Sequence, residues 1–370
     1  MHAVKYSQWQ SHALPAKSRM DFMDFTSSHV LPADGTTGVS RNRKLIRRAR
    51  RLMLALLAAG TCLLTAPVVY ANVVVVLNSR DATISLLDQA TYAEIKTIPV
   101  GKEPHHLMAT PDNKSLIVAS ATGNELVFLD PKTGEIQRRI KDISDPYQIG
   151  FSPDQKWFLA NALRLDRVDI YHFDGKDLKL AKRLPLAKLP SHMVFSADSS
   201  TAFITQQGSD EVSAIDLATQ TVKWTLPVGK LPAGIAMTPD DKFLLVGIMG
   251  SDYVEVIDWR ARKTVKRIKA GEGAHNFRAF GDKRHTFVSN RIANTINIID
   301  QKTLENIGTI NVPGGPDCME LTDDGKTLWV TLRWIKKVAV IDIASKKVIK
   351  LIPVGRSPHG VFFFNNAPRT

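Results

Sequence analysis

The sequence predicts an all-β chain, a seven-bladed β-propeller of four-stranded antiparallel blades whose C-terminal strand closes the ring by joining the N-terminal blade. Three observations predict it. An anchored phrase recurs seven times at a near-constant step. Each recurrence carries short β-branched or aromatic runs cut by Gly, Asn and Asp turns. The first repeat lacks its opening strand, and the chain ends on one such strand to spare.

The phrase reads "EPHHLMATPD", "DPYQIGFSPD", "LPSHMVFSAD", "LPAGIAMTPD", "GAHNFRAFGD", "GPDCMELTDD" and "SPHGVFFFNN". Its leading Pro or Ala stands at 104, 146, 190, 232, 274, 316 and 358, in steps of 42, 44, 42, 42, 42 and 42. A fixed period of that length marks a repeat architecture. Within one repeat the first strand follows the proline, as at Leu107–Thr110. "PDNK" turns the chain, since Asp and Asn bond their own backbone. The second and third strands are Ser115–Ala119 and Glu125–Leu129, and "DPKTGE" turns into the fourth. Four strands in about 42 residues match one propeller blade.

Closure follows from counting. There are seven first strands, the last at Val361–Phe364, and seven sets of the other three, the first opening in "VVVVLN". The last strand therefore completes the first blade and covers edges that would otherwise invite pairing. The aspartates ending each third strand (Asp88, Asp130, Asp216, Asp258, Asp300, Asp342) recur at one structural position, which is the mark of turn chemistry.

The phrases "TFVSN", "LWVTL" and "AFITQ", the "TPD" turns and the "VIDIAS" phrases resemble the YVTN-type β-propeller repeat family, over about residues 73–364. The resemblance implies a secreted or periplasmic seven-bladed propeller. Similar repeats occur in haem-binding propeller domains of nitrite reductases, in propellers linked to quinoprotein metabolism and in seven-bladed lactonases. One periplasmic relative is held to bind single-stranded DNA. The motif residues build blades, so the fold does not choose among these.

Ahead of the repeats, residues 1–71 read as an extension and signal peptide, and 72–370 as the propeller. A basic segment, "RNRKLIRRARR", precedes an apolar run of 13 residues, Leu52–Leu64, and the small residues Val69 and Ala71. Cleavage after Ala71 would release a chain beginning "NVVVV". An uncleaved anchor is the rival, although Leu52–Leu64 is short for a membrane span. The expectation is a periplasmic or secreted monomer with no transmembrane segment after cleavage. Of 370 residues, 44% are hydrophobic and 23% charged, ample for a packed core. The net charge of +13 is inflated by the N-terminus. Residues 72–370 hold 39 basic against 33 acidic side chains, too small an excess to imply nucleic-acid binding by charge alone. Only Cys318 remains after cleavage, so no intrachain disulfide can form.

Strand direction sorts the loops onto two faces. One carries the solvated "PDNK"-type turns. The other gathers the starts of the first strands at the mouth of the axial channel. After the anchor come His105, Tyr147, Ser191, Ala233, His275, Asp317 and His359; one place on come His106, Gln148, His192, Gly234, Asn276, Cys318 and Gly360. Five of the ten histidines of the chain converge there. Neighbours on a strand point to opposite faces, so His105 and His106 cannot both face the channel unless a bulge intervenes. The loops between second and third strands add Arg80, Arg164, Arg167, Arg291, Arg333, Trp334 and Lys336, with Arg278 and Arg356 as further candidates. Imidazoles, a carboxylate and a thiol can bind a borderline metal, and imidazole can ligate haem iron with arginines on the propionates. The competing expectation is that each histidine caps a loop or bonds a carbonyl.

No HExxH, CxxC, CxxCH, GxSxG, Walker or GxGxxG pattern occurs. The reading is therefore a non-enzymatic periplasmic propeller that binds a small-molecule or protein partner at a mouth lined by His105, His106, His192, His275, Asp317, His359, Arg80, Arg164, Arg291, Arg333 and Trp334. Two alternatives stand beside it. One is a redox or cofactor protein using haem, a transition metal or quinone at the same mouth. The other is a single-stranded DNA binder using Trp334 between Arg333 and Lys336 as a stacking and cationic platform.

Overall fold

The computed structural model describes residues 72–369. The segments read as signal peptide lie outside the described residues. Among those described, no helix is long and apolar enough to cross a membrane.

Seven four-stranded antiparallel sheets make the ring. Each inner strand begins at an anchor: Pro104–Ala109, Pro146–Phe151, Pro190–Phe195, Pro232–Met237, Ala274–Ala279, Pro316–Leu321 and Pro358–Phe362. The last pairs with Val73–Asn78, so the first and last described strands share one blade as expected. The inner strands start about three residues earlier than Leu107 would place them, because pairing begins at the anchor itself.

Burial follows strand position. The second and third strands are almost wholly buried, as in "LIVAS" and "ELVFL", because neighbouring blades cover both of their faces. The fourth strands, such as Ile136–Lys141, are mainly exposed and charged, which blunts the outer edge. Apolar clusters fill the spaces between blades; one joins Phe287 and Ile298 to Leu328, Val330 and Ile341 of the next blade.

The recurrent residues behave as turn and brace chemistry. Asp88, Asp130, Asp216, Asp258, Asp300 and Asp342 each accept backbone N–H bonds from residues two or three places on. In the "TPD" turns the Thr110 hydroxyl donates to Asp112, and Thr238 repeats this with Asp240. The motif threonines work nearer the axis. Thr205 Oγ1 donates to the carbonyl of Ala233 at 2.7 Å, and Thr331 Oγ1 to that of His359 at 2.6 Å. Each of these hydroxyls ties its own blade to the inner strand of the next.

Two backbone features shape the channel mouth. The residue before every anchor has positive φ: Glu103, Asp145, Leu189, Leu231, Gly273, Gly315 and Ser357. Five of these are not glycine, so the backbone bears a strained conformation at each entry to the channel. Directly after the anchor the register shifts in every blade, as between Pro104 and His106 and between Pro316 and Met319. Bulges of this kind re-aim side chains. Here they free the residues at the two post-anchor positions from strict alternation.

Candidate functional site

Six side chains from six blades form a closed circuit around the channel mouth. The His359 ring lies 3.8 Å from that of His105, which stacks on Tyr147 at 3.7 Å. Tyr147 meets His192 edge-on at 6.1 Å, and His192 meets His275 edge-on at 5.1 Å. His275 Nδ1 lies 3.1 Å from Asp317 Oδ1, and Asp317 Oδ2 lies 3.6 Å from His359 Nε2, closing the circuit. The missing seventh blade is that of Ala233 and Gly234, which offer only a methyl group and a hydrogen. Sequence position alone treats these histidines as rim residues. They are buried instead: His275 is 0%, His359 1%, His105 3% and His192 4% exposed.

Asp317 is the electrostatic centre. It is fully buried, yet Arg291 donates to its Oδ2 at 2.6 Å and Arg333 approaches at 3.4 Å. Burial alone would raise its pKa; the Arg291 guanidinium outweighs that and holds the carboxyl well below its usual range. One carboxylate thus faces two guanidinium groups, and the mouth keeps a surplus of positive charge. Burial first, and positive neighbours after it, depress the histidines. His275 is lowered to about 4, and His105, His192 and His359 fall well below their ordinary value. All four are therefore neutral at pH 7. The Cys318 thiol is pushed up by burial, then by the Asp317 charge, so it is protonated.

The hydrogen-bond census is incomplete at this mouth. His105 Nδ1 has the Tyr147 carbonyl at 3.0 Å, and His192 Nδ1 has the Ser191 hydroxyl at 2.6 Å. His105 thus bonds a carbonyl, whereas His192 bonds the hydroxyl of its own neighbour on the strand. His275 differs. Its Nδ1 is close to Asp317 but off the hydrogen-bonding direction, and its Nε2 has no partner. Asp317 Oδ1 and His359 Nε2 are likewise buried without a hydrogen bond. Buried polar groups left unpaired cost about 1–3 kcal/mol each, so three or more at one point need a reason.

The remaining expected residues divide. His106, after the bulge, is half-buried, and burial, then the Arg369 charge, lowers its pKa to about 3. Arg164 is engaged by Glu103 at 2.9 Å and by Asp145, so it braces its own loops. Arg167 pairs with Asp169. Arg80 is exposed at the rim, and Trp334 is 52% exposed over Gly315. Arg356 is tied to Asp81 on the same face. Arg278 is not at the mouth. It lies farther along Ala274–Ala279, fully buried, where it donates to Glu320 at 2.6 Å and to the carbonyls of Ala367 and Pro368. Arg369 also reaches Glu320. The C-terminal tail is thus pinned across the end of that strand. Sequence reasoning missed this network, because nothing in the repeat marks Glu320 as the partner.

The fold and this mouth define a seven-bladed propeller with a polar, cationic, histidine-rich channel entrance. The chain belongs to the family of YNCE-like beta-propellers, whose pattern it matches over residues 51–369. Comparison with curated protein sequences gives no match. Among solved structures, the chain is similar to a functionally unknown protein from Desulfotomaculum acetoxidans DSM 771 at 15% identity and a TM-score of 0.68, covering 79% of this chain and 99% of that one. It is similar to the dihydro-heme d1 dehydrogenase NirN in complex with DHE, at 17% identity and 0.60, covering 81% and 78%. It is also similar to Kuenenia stuttgartiensis hydrazine synthase, at 18% identity and 0.59, covering 71% and 96%. At these identities the likeness is one of fold.

Proposed function

We propose that this chain is a non-enzymatic, exported propeller that binds a small ligand carrying negative charge at its His/Arg mouth. The observation that supports the reading is Asp317, a single buried carboxylate facing Arg291 and Arg333 inside a circuit of neutral imidazoles. Arg333 and Arg291 are only partly covered, at 24% and 16% side-chain exposure, so both can reach an incoming anion. Charge-assisted bonds from two guanidinium groups suit a carboxylate or phosphate. The nucleophile–base contact at the circuit is Cys318 Sγ at 3.6 Å from His359 Nδ1, and burial keeps that thiol protonated, so it is not an activated nucleophile.

The haem relative raises the alternative of a tetrapyrrole, and the residues do not fit it. The imidazoles able to ligate iron are packed ring against ring and at most 4% exposed. A macrocycle could reach them only by dismantling the Tyr147–His105–His359 stack. The single-stranded DNA reading keeps one favourable observation, the exposed Trp334 beside Arg333 and Lys336.

The test is a binding panel on purified full-length protein with inorganic phosphate, citrate, haem and a thymidine oligonucleotide. The expected result is saturable binding of the small anions, weakened at least about tenfold by Arg333→Ala through the loss of one charge-assisted bond. Oligonucleotide binding lost on Trp334→Ala, without small-anion binding, would favour the DNA reading instead. No binding of any probe would sink the mouth as a ligand site.

A further inference from the structure

We propose that Asp317, Cys318 and His359 hold a transition-metal ion of borderline softness, of which Zn2+ is the type. The inference rests on the mouth being a ligand site and names a second occupant of it. The three residues come from two adjacent blades, and their donor atoms all lie within 4.8 Å of one another. Cys318 Sγ stands 3.6 Å from His359 Nδ1. Tetrahedral zinc, with Zn–N about 2.05 Å and Zn–S about 2.3 Å, separates its nitrogen and sulfur ligands by about 3.6 Å. The spacing is therefore that of two ligands across an ion.

The orientation of His359 agrees. Its Nε2 faces Asp317 Oδ2, which favours the proton on Nε2 and leaves Nδ1 bare toward the sulfur. Asp317 Oδ2 is occupied by Arg291, whereas Oδ1 has no hydrogen bond and is free to ligate. Both residues are at least 99% buried, so bulk solvent does not reach these atoms. Around the trio, Asn276 Nδ2 donates to Cys318 Sγ at 3.2 Å, a contact that steadies a thiolate. His275 stands behind Asp317 as an orienting neighbour.

Binding is a simple exchange. Cys318 gives its proton to solvent, the thiolate and the Asp317 carboxylate neutralise a dication, and His359 supplies a neutral nitrogen. A fourth position is left for water or an anionic group, which Arg291 and Arg333 favour. The carboxylate in the donor set argues for a borderline ion over Cu(I).

The experiment uses the full chain carrying Cys62→Ser, stripped with chelator under reductant, so that Cys318 is the sole thiol. Titration with Co2+ is expected to saturate at one ion per chain with a thiolate-to-cobalt charge-transfer band in the near ultraviolet, displaced by Zn2+. Cys318→Ser, nearly isosteric, should abolish the band and weaken Zn2+ binding at least about a hundredfold, and His359→Gln should weaken it at least about tenfold. Co2+ saturation without the band, or Zn2+ affinity unchanged in Cys318→Ser, overturns the proposal. The band in the unsubstituted thiol protein decides the matter even if a variant fails to fold. Phosphate or citrate binding in a chain that shows no cobalt band would remove the metal and leave the anion reading standing; loss of both would remove both.

Discussion

The backbone carbonyl oxygen of His275 lies 2.0 Å from where a β-carbon on Gly234 would stand. These two inner strands approach each other as only glycine permits, and the approach puts His275 beside His192 across a blade that contributes no polar or aromatic side chain to the circuit. Gly234 therefore positions the circuit without touching any ligand.

Gly234→Ala should destabilise the protein by about 1–3 kcal/mol, the usual cost of overpacking where the neighbour is backbone and cannot rotate away. Gly308→Ala is the control. Its nearest neighbour is the tip of Lys346, so a change within about 0.5 kcal/mol is expected. Urea midpoints of the two variants check this; equal midpoints would mean the inner strands are not held at this separation.

Arg278 and Glu320 form a buried pair, at 1% and 0% side-chain exposure, with the C-terminal tail laid across them. Glu320→Gln leaves the buried Arg278 without a carboxylate and should cost about 3–5 kcal/mol, whereas Arg278→Met leaves Glu320 paired with Arg369 and should cost less. The double replacement Arg278→Met with Glu320→Leu should recover most of that loss, because the cost lies in the unpaired charge. Equilibrium unfolding of the three variants tests this. A double variant as unstable as the sum of the singles would show that the tail contacts dominate instead.

How much was legible in the sequence follows from what a repeat encodes. The anchor at Pro104 and its six equivalents fixed the blade count and which residues start at the mouth, because identical local chemistry recurs at each. What the period cannot encode is difference between blades. The Arg291–Asp317 pair joins residues 26 apart in neighbouring blades, and Arg278–Glu320 joins residues 42 apart, one full repeat. Burial of the histidines was also hidden. The repeat places their Cα atoms at the rim, and only the bulge after each anchor turns the rings inward onto one another. The bulge itself left a trace, in the question of how His105 and His106 could share the channel.

Ring closure makes a separate prediction. Pro358–Phe362 supplies the inner strand of the first blade, and Val361, Phe362 and Phe363 are buried. Deleting residues 361–370 should expose the edge of Val73–Asn78 and uncover the apolar clusters on both sides of that blade. Aggregation on expression, or a melting temperature far below that of the full chain, is the expected outcome. A truncated chain that melts like the intact one would refute closure by this strand.

The buried histidines make stability depend on pH, and His192 is the cleanest probe because it is 4% exposed and is not among the three metal-ligating residues proposed. Burial, then the neighbouring His275, holds its pKa well below the ordinary 6.5. The folded ring is neutral, while the unfolded ring takes a proton near pH 6.5. Below that pH the unfolded chain binds more protons than the folded one, so stability is fully present above pH 6.5 and falls as the pH drops toward the folded-state value. His105 and His106 shift in the same direction and add to the slope. Each such histidine contributes about 1.4 kcal/mol per pH unit once the unfolded form is fully protonated. Urea unfolding between pH 7.5 and 5, with chelator present, should show falling stability over a range in which surface carboxylates do not yet titrate. In His192→Gln the slope near pH 5 should be shallower by about 1.4 kcal/mol per pH unit, the loss of one proton from the linkage. An unchanged slope would mean that His192 protonates in the folded mouth as readily as in solution, and that the circuit is more open to water than its packing implies.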